Sequence, residues 1–249
     1  MNDSIVSILD LPNEILLIIF KKLNNIDLLY SFIGINQQLD NVICRIDFTR
    51  AIDLVTISSY ETDDSKIDSI LDRFCLHILP RIHEHVECHT IEACFFQCIF
   101  HTSNYINLCK LTLVNFEPNM ASHIFHKKSS FIHTFEHQIS HLVVMFIDNI
   151  PEATIDNLLI HNYVSIFALL RNLKYLELNV NDVYSFLPTL FNGVSPLRCF
   201  SPSIIHLRIK LNNFDDCLYL LDGRLSQLHT FIVNLDYIHD PSRMLPIPK

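Results

Sequence analysis

The chain has 249 residues, of which 49% are apolar and only 18% are charged. This composition is too apolar for an intrinsically disordered protein. The net charge of −9 argues against nucleic acid as the main partner, because phosphate binding needs a concentrated positive surface. No apolar run approaches the roughly 20 residues of a membrane span, so we also expect no membrane partner.

The N-terminal residues and the cysteines predict a cytoplasmic or nuclear protein. Met1 to Ser4 contain no basic residue, and Glu14 interrupts the apolar run, unlike in a signal peptide. Only three glycines occur, and no Gly-x-Gly or Gly-Lys-Ser/Thr segment is present, so no cofactor is predicted. Eight cysteines lie among apolar residues and are predicted to be reduced, buried thiols: Cys44, Cys75, Cys88, Cys94, Cys98, Cys109, Cys199 and Cys217.

The first predicted helix begins at Pro12 and is apolar on more than one side. Proline suits the first helical position, and Glu14 meets the positive end of the helix dipole. A surface helix normally has a single apolar stripe, so a stripe plus an extra patch indicates two different neighbours. On a helical wheel the stripe contains Ile15, Leu16, Ile19, Phe20 and Leu23, and the patch contains Leu17 and Ile18.

Two more short helices are predicted to follow. Asp27 is a good N-cap for the second helix, which Gly34 ends. Asn36 is a good N-cap for the third helix, which carries Leu39 and Val42. Three short helices in about 40 residues cannot bury enough surface to be stable alone. Part of their apolar surface is therefore predicted to pack on the rest of the chain, and part on another protein.

These helices resemble an F-box over roughly residues 8 to 50. The matching pattern is Leu11-Pro12-x-Glu14-Ile15-Leu16-x-x-Ile19-Phe20-x-x-Leu23-x-x-x-Asp27-Leu28. Ile35-Asn36-x-x-Leu39 is similar to the family's Val-Cys-x-x-Trp segment, with Leu39 in place of the tryptophan.

The resemblance implies a non-catalytic adaptor. F-box proteins dock onto the Skp1 subunit of a cullin–RING ubiquitin ligase, and the remainder of the chain selects a protein client. We therefore expect Skp1, and through it a cullin, as partners. Leu17 and Ile18 lie at positions that the family leaves variable, and we expect them to seat the module against its own C-terminal domain. The residues implied to carry or support docking are Leu11, Pro12, Glu14, Ile15, Leu16, Ile19, Phe20, Leu23 and Leu28.

The remaining 200 residues contain copies of a leucine-rich-repeat pattern. Leu173-x-x-Leu176-x-Leu178-x-x-Asn181 matches the signature at every fixed position, and Ile204-x-x-Leu207-x-Ile209-x-x-Asn212 matches it with isoleucines. Residues two apart in a strand point to the same face, so each copy predicts a strand with two inward side chains. Looser copies centre on Phe231 and Val233, Leu142 and Val144, Leu111 and Leu113, and His89 and Ile91, with Ile52 and Leu54 in a possible first strand.

Helices are predicted between these strands, which makes the fold class mixed α/β. One runs from Ile67 to Ile78 and ends at Pro80, and the others cover 154–170, 183–191 and 215–221. We predict a three-helix F-box module at residues 1–50. An irregular leucine-rich-repeat-like α/β solenoid with a parallel sheet follows at 51–249. An open parallel α/β sheet remains the alternative.

Side chains that alternate with the inward residues face the open side of such a sheet. They mix charged, aromatic and amide groups, as a protein-recognition surface does. We predict this face as the client-binding surface, the alternative being a merely solvated face. Its tentative contact residues are Lys110, Tyr175, Glu177, Asn179, His206, Arg208 and Lys210.

Metal and catalytic sites are not predicted. The segment from His83 to His89 is rich in histidine, but it lacks a Cys-x-x-Cys pair, and Cys88 and His89 would point to opposite faces of a strand. No Gly-x-Ser-x-Gly elbow occurs, and nothing marks one thiol as activated. A substrate-recognition adaptor acting through Skp1 is the favoured function. A leucine-rich-repeat scaffold acting without Skp1 is the alternative, and an enzyme comes third.

Overall fold

The protein has a mixed α/β fold, as predicted. A computed structural model describes residues 7–55, 64–147, 163–179, 201, 203–211, 214–222 and 225–235. Contacts divide the chain into two compact units, Met1–Leu111 and Thr112–Lys249. The predicted boundary after residue 50 lies inside the first unit. No helix among the described residues is long and apolar enough to cross a bilayer.

The helices of the first unit are short. Single 3-10 turns occur at Ile8–Asp10, His83–His85 and Ala93–Phe95. A wider π-helical segment, Phe74–Ile78, joins α5 to α6. The α-helices are α1 (Asn13–Phe20), α2 (Asn25–Phe32), α3 (Gln37–Ile43), α4 (Ile46–Thr49), α5 (Asp64–Arg73), α6 (Leu79–Ile82) and α7 (Phe96–Thr102).

Asparagine side chains cap α2 and α3. Asn36 Oδ1 accepts a hydrogen bond from the Gln38 amide at 2.6 Å, so the predicted cap of α3 is confirmed. The predicted cap of α2 is wrong: Asn24 accepts from the Ile26 amide at 2.8 Å, and Asp27 lies inside the helix. Asparagine and aspartate are both good N-caps. Asn24 is the cap here because its extended backbone lets its side chain accept a hydrogen bond from the first turn of the helix.

Pro80 does not end its helix, contrary to the prediction. It occupies the first turn of α6, where its missing N–H needs no partner. The preceding π-helical segment supplies the explanation, because the Leu79 amide donates to the Phe74 carbonyl five residues back. This wider turn admits the proline and lets the helical direction continue from α5 into α6.

Within the described ranges, seven parallel strands form one sheet in chain order. Their order agrees with the predicted series of strand and crossover units. Parallel pairing joins β1 to β2, β4 to β5, β5 to β6 and β6 to β7. The strands are β1 (Ala51–Asp53), β2 (Cys88–Glu92), β3 (Lys110–Phe116), β4 (His141–Phe146), β5 (Tyr175–Asn179), β6 (His206–Leu211) and β7 (Thr230–Leu235).

The predicted inward residues are buried in six of the seven strands. In β5, for example, Leu176 and Leu178 are buried while their neighbours remain partly exposed. This alternation confirms that the spacing of apolar residues places one face of the sheet in the core. In β7 the inward residues Phe231 and Val233 are only half-buried.

Helices of the second unit lie between its strands. Two of the predicted helices are confirmed in part: residues 163–169 form α10, and Phe214–Leu221 forms α11. The first half of the predicted helix at 154–170 and the whole of that at 183–191 lie outside the described residues. The other helical segments are α8 (Ala121–Ile124), α9 (Ser130–Phe135) and a 3-10 turn at Pro118–Met120.

The cysteines depart from the prediction of reduced, buried thiols. Cys75 and Cys98 are paired as a disulfide, with Cα atoms 6.6 Å apart. Cys94 is exposed, and Cys217 is the buried member of the free thiols that the structure describes. Sequence predicted neither the pair nor the exposure, because burial of a thiol depends on which helices and strands come together.

His89 is buried in the strand face where the other copies carry leucine or isoleucine. It is 1% exposed, and neither ring nitrogen has a well-formed hydrogen bond. The ring of Tyr105 lies edge-on, with centroids 5.7 Å apart. Burial lowers the pKa of His89 to about 4 from the ordinary 6.5, and nearby backbone groups of Thr90 and Ile52 only partly oppose the shift. The imidazole is therefore neutral in the core.

His89 should make the stability of the protein depend on pH. An unfolded chain binds a proton at His89 below pH 6.5, whereas the folded chain binds it only near pH 4. The contribution of the neutral His89 imidazole to the free energy of unfolding is therefore fully present above pH 6.5. It is lost as the pH falls towards 4, by about 3 kcal/mol in total. We expect His89→Leu to remove this loss, as measured by urea unfolding at pH 7 and pH 4.

An exposed histidine on α7 provides the control. His101→Leu should keep the pH dependence of the parent, since that side chain is exposed. If His89→Leu lost as much free energy of unfolding between pH 7 and pH 4 as the parent, the buried imidazole would not be responsible.

Candidate partner-binding site

α1 divides its apolar residues between two faces. Leu16 and Phe20 are fully buried and form its inner face. Phe20 packs against Phe32 of α2, with ring centroids 5.3 Å apart. Ile15, Ile18 and Ile19 are 42%, 60% and 39% exposed, and we call them the outer stripe. Their spacing of three and four residues places the three side chains next to one another.

This division corrects the prediction from the helical wheel. Leu16 and Phe20 were grouped with Ile15 and Ile19, but they lie on the inner face. Ile18 was expected to seat the module on its own chain, yet it is the most exposed of the isoleucines of the helix, and Leu17 is half-buried. A helical wheel gives the angular positions of the side chains around the helix axis, but it does not show which side of the helix faces the core.

The predicted docking residues therefore fall into two groups. Leu16, Phe20 and Leu28 are fully buried, so of the two predicted roles, carrying or supporting the docking, only support is open to them. Leu11 is half-buried. The second group is exposed and therefore accessible to a partner, and it consists of Pro12, Glu14, Ile15, Ile19 and Leu23.

Backbone and amide groups fix the start of α1. Pro12 lies at the N-cap with an extended backbone rather than at the first helical position, and its carbonyl accepts from the Ile15 and Leu16 amides at 3.0 and 3.1 Å. Gln38 of α3 donates to the Leu11 carbonyl at 3.4 Å and contacts Asn13 Oδ1 at 3.3 Å. These contacts orient α1 on α3 and so aim the outer stripe away from the core.

Further exposed apolar residues lie in the same helical module. Ile8 and Leu9 belong to the 3-10 turn before α1 and are exposed, and Leu23 follows α1. Ile35 is 61% exposed in the turn between α2 and α3, where Gly34 has a φ of +85°. Ile8 and Leu9 carry no recognisable signal in the sequence, because a turn of three residues is too short for a periodic pattern.

The open face of the second unit carries a row of rings. The register pairs His141 with Tyr175 and Tyr175 with His206, across strands spaced about 4.8 Å apart. His141 stacks on Tyr175, with centroids 5.8 Å apart and planes 19° apart. The Tyr175 and His206 rings are 6.4 Å apart, as are those of His206 and His229. We call these residues the ring row.

A charged pair extends the ring row along the strands. Tyr175 donates its hydroxyl to Glu177 Oε2 at 2.7 Å, and this hydrogen bond is the main reason that the pKa of Tyr175 is raised. Arg208 Nη1 lies 3.5 Å from Glu177 Oε1 and is half exposed. Glu177 thus holds both neighbours in place, and Arg208 remains accessible from the open face.

One of the predicted client contacts differs from expectation. Lys210 is only 4% exposed, because the end of β6 is covered where alternation alone predicts the open side of the sheet. Asn179 is partly exposed on the same side of β5 as Tyr175 and Glu177. Lys110 is exposed at the start of β3. Tyr175, Glu177, His206 and Arg208 lie on the predicted face.

The described residues offer little for nucleophilic or metal chemistry. Partial desolvation and the neighbouring Glu92 carboxylate raise the pKa of the Cys94 thiol to about 11, although its side chain remains accessible, and burial raises the pKa values of Cys44, Cys88 and Cys217. A raised pKa leaves these thiols protonated and weakly nucleophilic at neutral pH. No group of three or more His, Cys, Asp or Glu residues in the described ranges could hold a metal ion.

Comparisons with known proteins add no family assignment. No protein-family model matches the chain, and no similar curated protein is found.

Proposed function

We propose that the protein is a non-catalytic adaptor of a Skp1–cullin–F-box ubiquitin ligase. In this proposal the helices α1 to α3 dock onto Skp1, and the parallel sheet binds a protein client. The observation that carries the proposal is the outer stripe of α1, three neighbouring isoleucines on the surface of a helix whose inner face is already packed.

The outer stripe supports docking because its exposure lacks a structural explanation within the module. Leu16 and Phe20 are the fully buried residues of α1, whereas Ile15, Ile18 and Ile19 remain exposed. Contiguous exposed apolar residues mark interaction surfaces more often than isolated ones do. Ile15 and Ile19 also occupy two of the apolar positions through which the sequence resembles an F-box.

Charged groups flank the stripe as a polar rim would. Glu14, Lys21 and Lys22 are exposed on the same helix or just beyond its end. Lys21 Nζ lies 3.9 Å from Asp47 Oδ2, but the exposure of both side chains means that this pair contributes little stability. An apolar centre with a charged rim is the usual anatomy of a protein–protein interface.

The proposed client surface is the ring row with Glu177 and Arg208. The strands follow one another in chain order, and one face of β1 to β6 is buried, which supports an irregular leucine-rich-repeat-like arrangement. The opposite face then presents Tyr175 and Arg208, two residue types enriched in binding hot spots, together with the histidine rings of the row.

A triple variant tests this surface. We expect Tyr175→Ala, Glu177→Ala and Arg208→Ala together to abolish capture of any client that the parent chain crosslinks in cells, while leaving binding to Skp1 intact. Thr134→Ala, Ser122→Ala and His133→Ala, all exposed in the same unit, form the control. Crosslinking of the same client by the triple variant would rule out the ring row.

Mixing the purified chain with purified Skp1 tests the docking proposal directly. We expect a one-to-one complex that elutes as a single species in size-exclusion chromatography and has a measurable heat of association. Absence of a complex at micromolar concentrations of both proteins would reject the adaptor and favour a scaffold that acts without Skp1.

A further inference from the structure

A cavity of about 330 Å³ lies between the turn that follows α2 and the helical segment from α5 to α6. One wall is the turn Ile33–Gly34–Ile35. The other wall consists of Arg73, His77 and Arg81, which follow one another at intervals of four residues. This spacing keeps all three basic side chains on one side of the helical segment. The cavity is therefore lined by basic groups in a chain with a net charge of −9.

Arg73 is the central observation. Its Nη2 donates to the Ile33 carbonyl at 3.3 Å, and its guanidinium lies 5.0 Å from the centre of the Tyr30 ring. Its Nε is buried without a hydrogen-bond partner, and among the described residues no carboxylate pairs with it. A half-buried cation without a counter-ion is costly, and an unsatisfied buried donor adds to that cost. Among the described residues that line the cavity, none carries a carboxylate.

Arg81 is held at the opposite end by Asp40. Its Nη1 lies 2.8 Å from Asp40 Oδ2, and the Gly34 amide donates to Asp40 Oδ1 at 2.7 Å. The Arg81 guanidinium and the Gly34 amide therefore both hold the Asp40 carboxylate in place. A guanidinium has five N–H donors, so one such bond leaves Arg81 with donors to spare.

We propose that this cavity binds a phosphate group. Arg73 and Arg81 contribute two positive charges, and Asp40 is the single carboxylate that contacts them among the described residues. A phosphate monoester carries about −1.5 to −2 charges at neutral pH and has several acceptor oxygens, which suits two guanidinium forks and an imidazole. The cavity is also large enough to admit the group together with the chain that carries it. This inference does not depend on docking to Skp1.

The walls of the cavity favour a ligand presented from outside. Ile35 is exposed beside Gly34, and His77 is exposed on the facing helix. Gly34 has no side chain, so it leaves the approach to Arg81 open, the nearest contact of an added Cβ being Arg81 Nη1 at 3.9 Å. The phosphate could come from the free ion or from a phosphorylated serine of another protein, and the test below separates these sources.

Side-chain NMR of the full-length chain tests the proposal. Titration with inorganic phosphate should shift the Arg73 Nε–Hε and Gly34 amide signals saturably, whereas chloride at matched ionic strength should not. Arg73→Gln should weaken phosphate binding, followed at Gly34, at least about tenfold, since charge-assisted hydrogen bonds are lost. Lys22→Gln removes the same charge from an exposed residue and should leave the affinity unchanged.

The second arm uses an acetylated, amidated Gly-phosphoserine-Gly peptide. Tighter binding of the peptide than of inorganic phosphate would identify a phosphorylated protein segment as the ligand, and equal binding would identify the free ion. The proposal is overturned if neither probe shifts the Arg73 signal, or if Arg73→Gln binds both probes as tightly as the parent. Circular dichroism of Arg73→Gln confirms that a loss of binding is not a loss of fold.

Discussion

Replacing Ile15 and Ile19 with glutamate should weaken binding to Skp1 at least about a hundredfold, because two apolar hot spots would become buried charges. Both side chains are exposed, at 42% and 39%, so neither substitution opens a cavity or buries a charge in the free protein. We expect the thermal unfolding midpoint to stay close to that of the parent. Titration calorimetry with purified Skp1 measures the affinity.

The matched control makes the same chemical change elsewhere in the unit. Leu76 and Ile106 are exposed apolar residues outside α1 to α3, and Leu76→Glu with Ile106→Glu should leave the affinity for Skp1 within about threefold of the parent. If the Ile15 and Ile19 variant also stayed within that range, the outer stripe would not be the docking surface. If both double variants lost binding equally, net charge rather than the stripe would explain the loss.

The sheet was predictable because its signal is local. A pair of apolar residues two positions apart faces one side of a strand whatever the strand packs against. The pairs Leu176 with Leu178 and Leu207 with Ile209 therefore indicate the strands and their buried face from sequence alone. Whether a residue at the end of a strand is exposed depends on which other segments pack there, and the local sequence does not show this. Lys210 was therefore wrongly predicted to lie on the open surface.

The faces of α1 were harder to predict, since nearly every position of that helix is apolar. With few polar residues to mark the outside, the sequence allowed several inward directions. The contacts of Gln38 with Leu11 and Asn13 decide the direction, and they join residues more than 20 positions apart. The same limit applies to the proposed phosphate site. The spacing of Arg73, His77 and Arg81 is visible in the sequence, but the facing turn and the unpartnered Nε are not.

A substitution on the inner face of α1 is expected to have the second large effect, which is on stability rather than on binding. Phe20 is fully buried and packs against Phe32, so Phe20→Ala should cost about 3–5 kcal/mol of the free energy of unfolding. The cost combines the lost burial of the ring with the cavity that it leaves. Urea unfolding, followed by circular dichroism, measures the change.

Ile18→Ala is the control for this prediction, because it truncates an apolar side chain of the same helix that is 60% exposed. We expect it to change the free energy of unfolding by no more than about 0.5 kcal/mol. A cost at Ile18 as large as that at Phe20 would mean that Ile18 is packed within the folded chain. The outer stripe would then be part of the core, and the proposed docking surface would lose its most exposed residue.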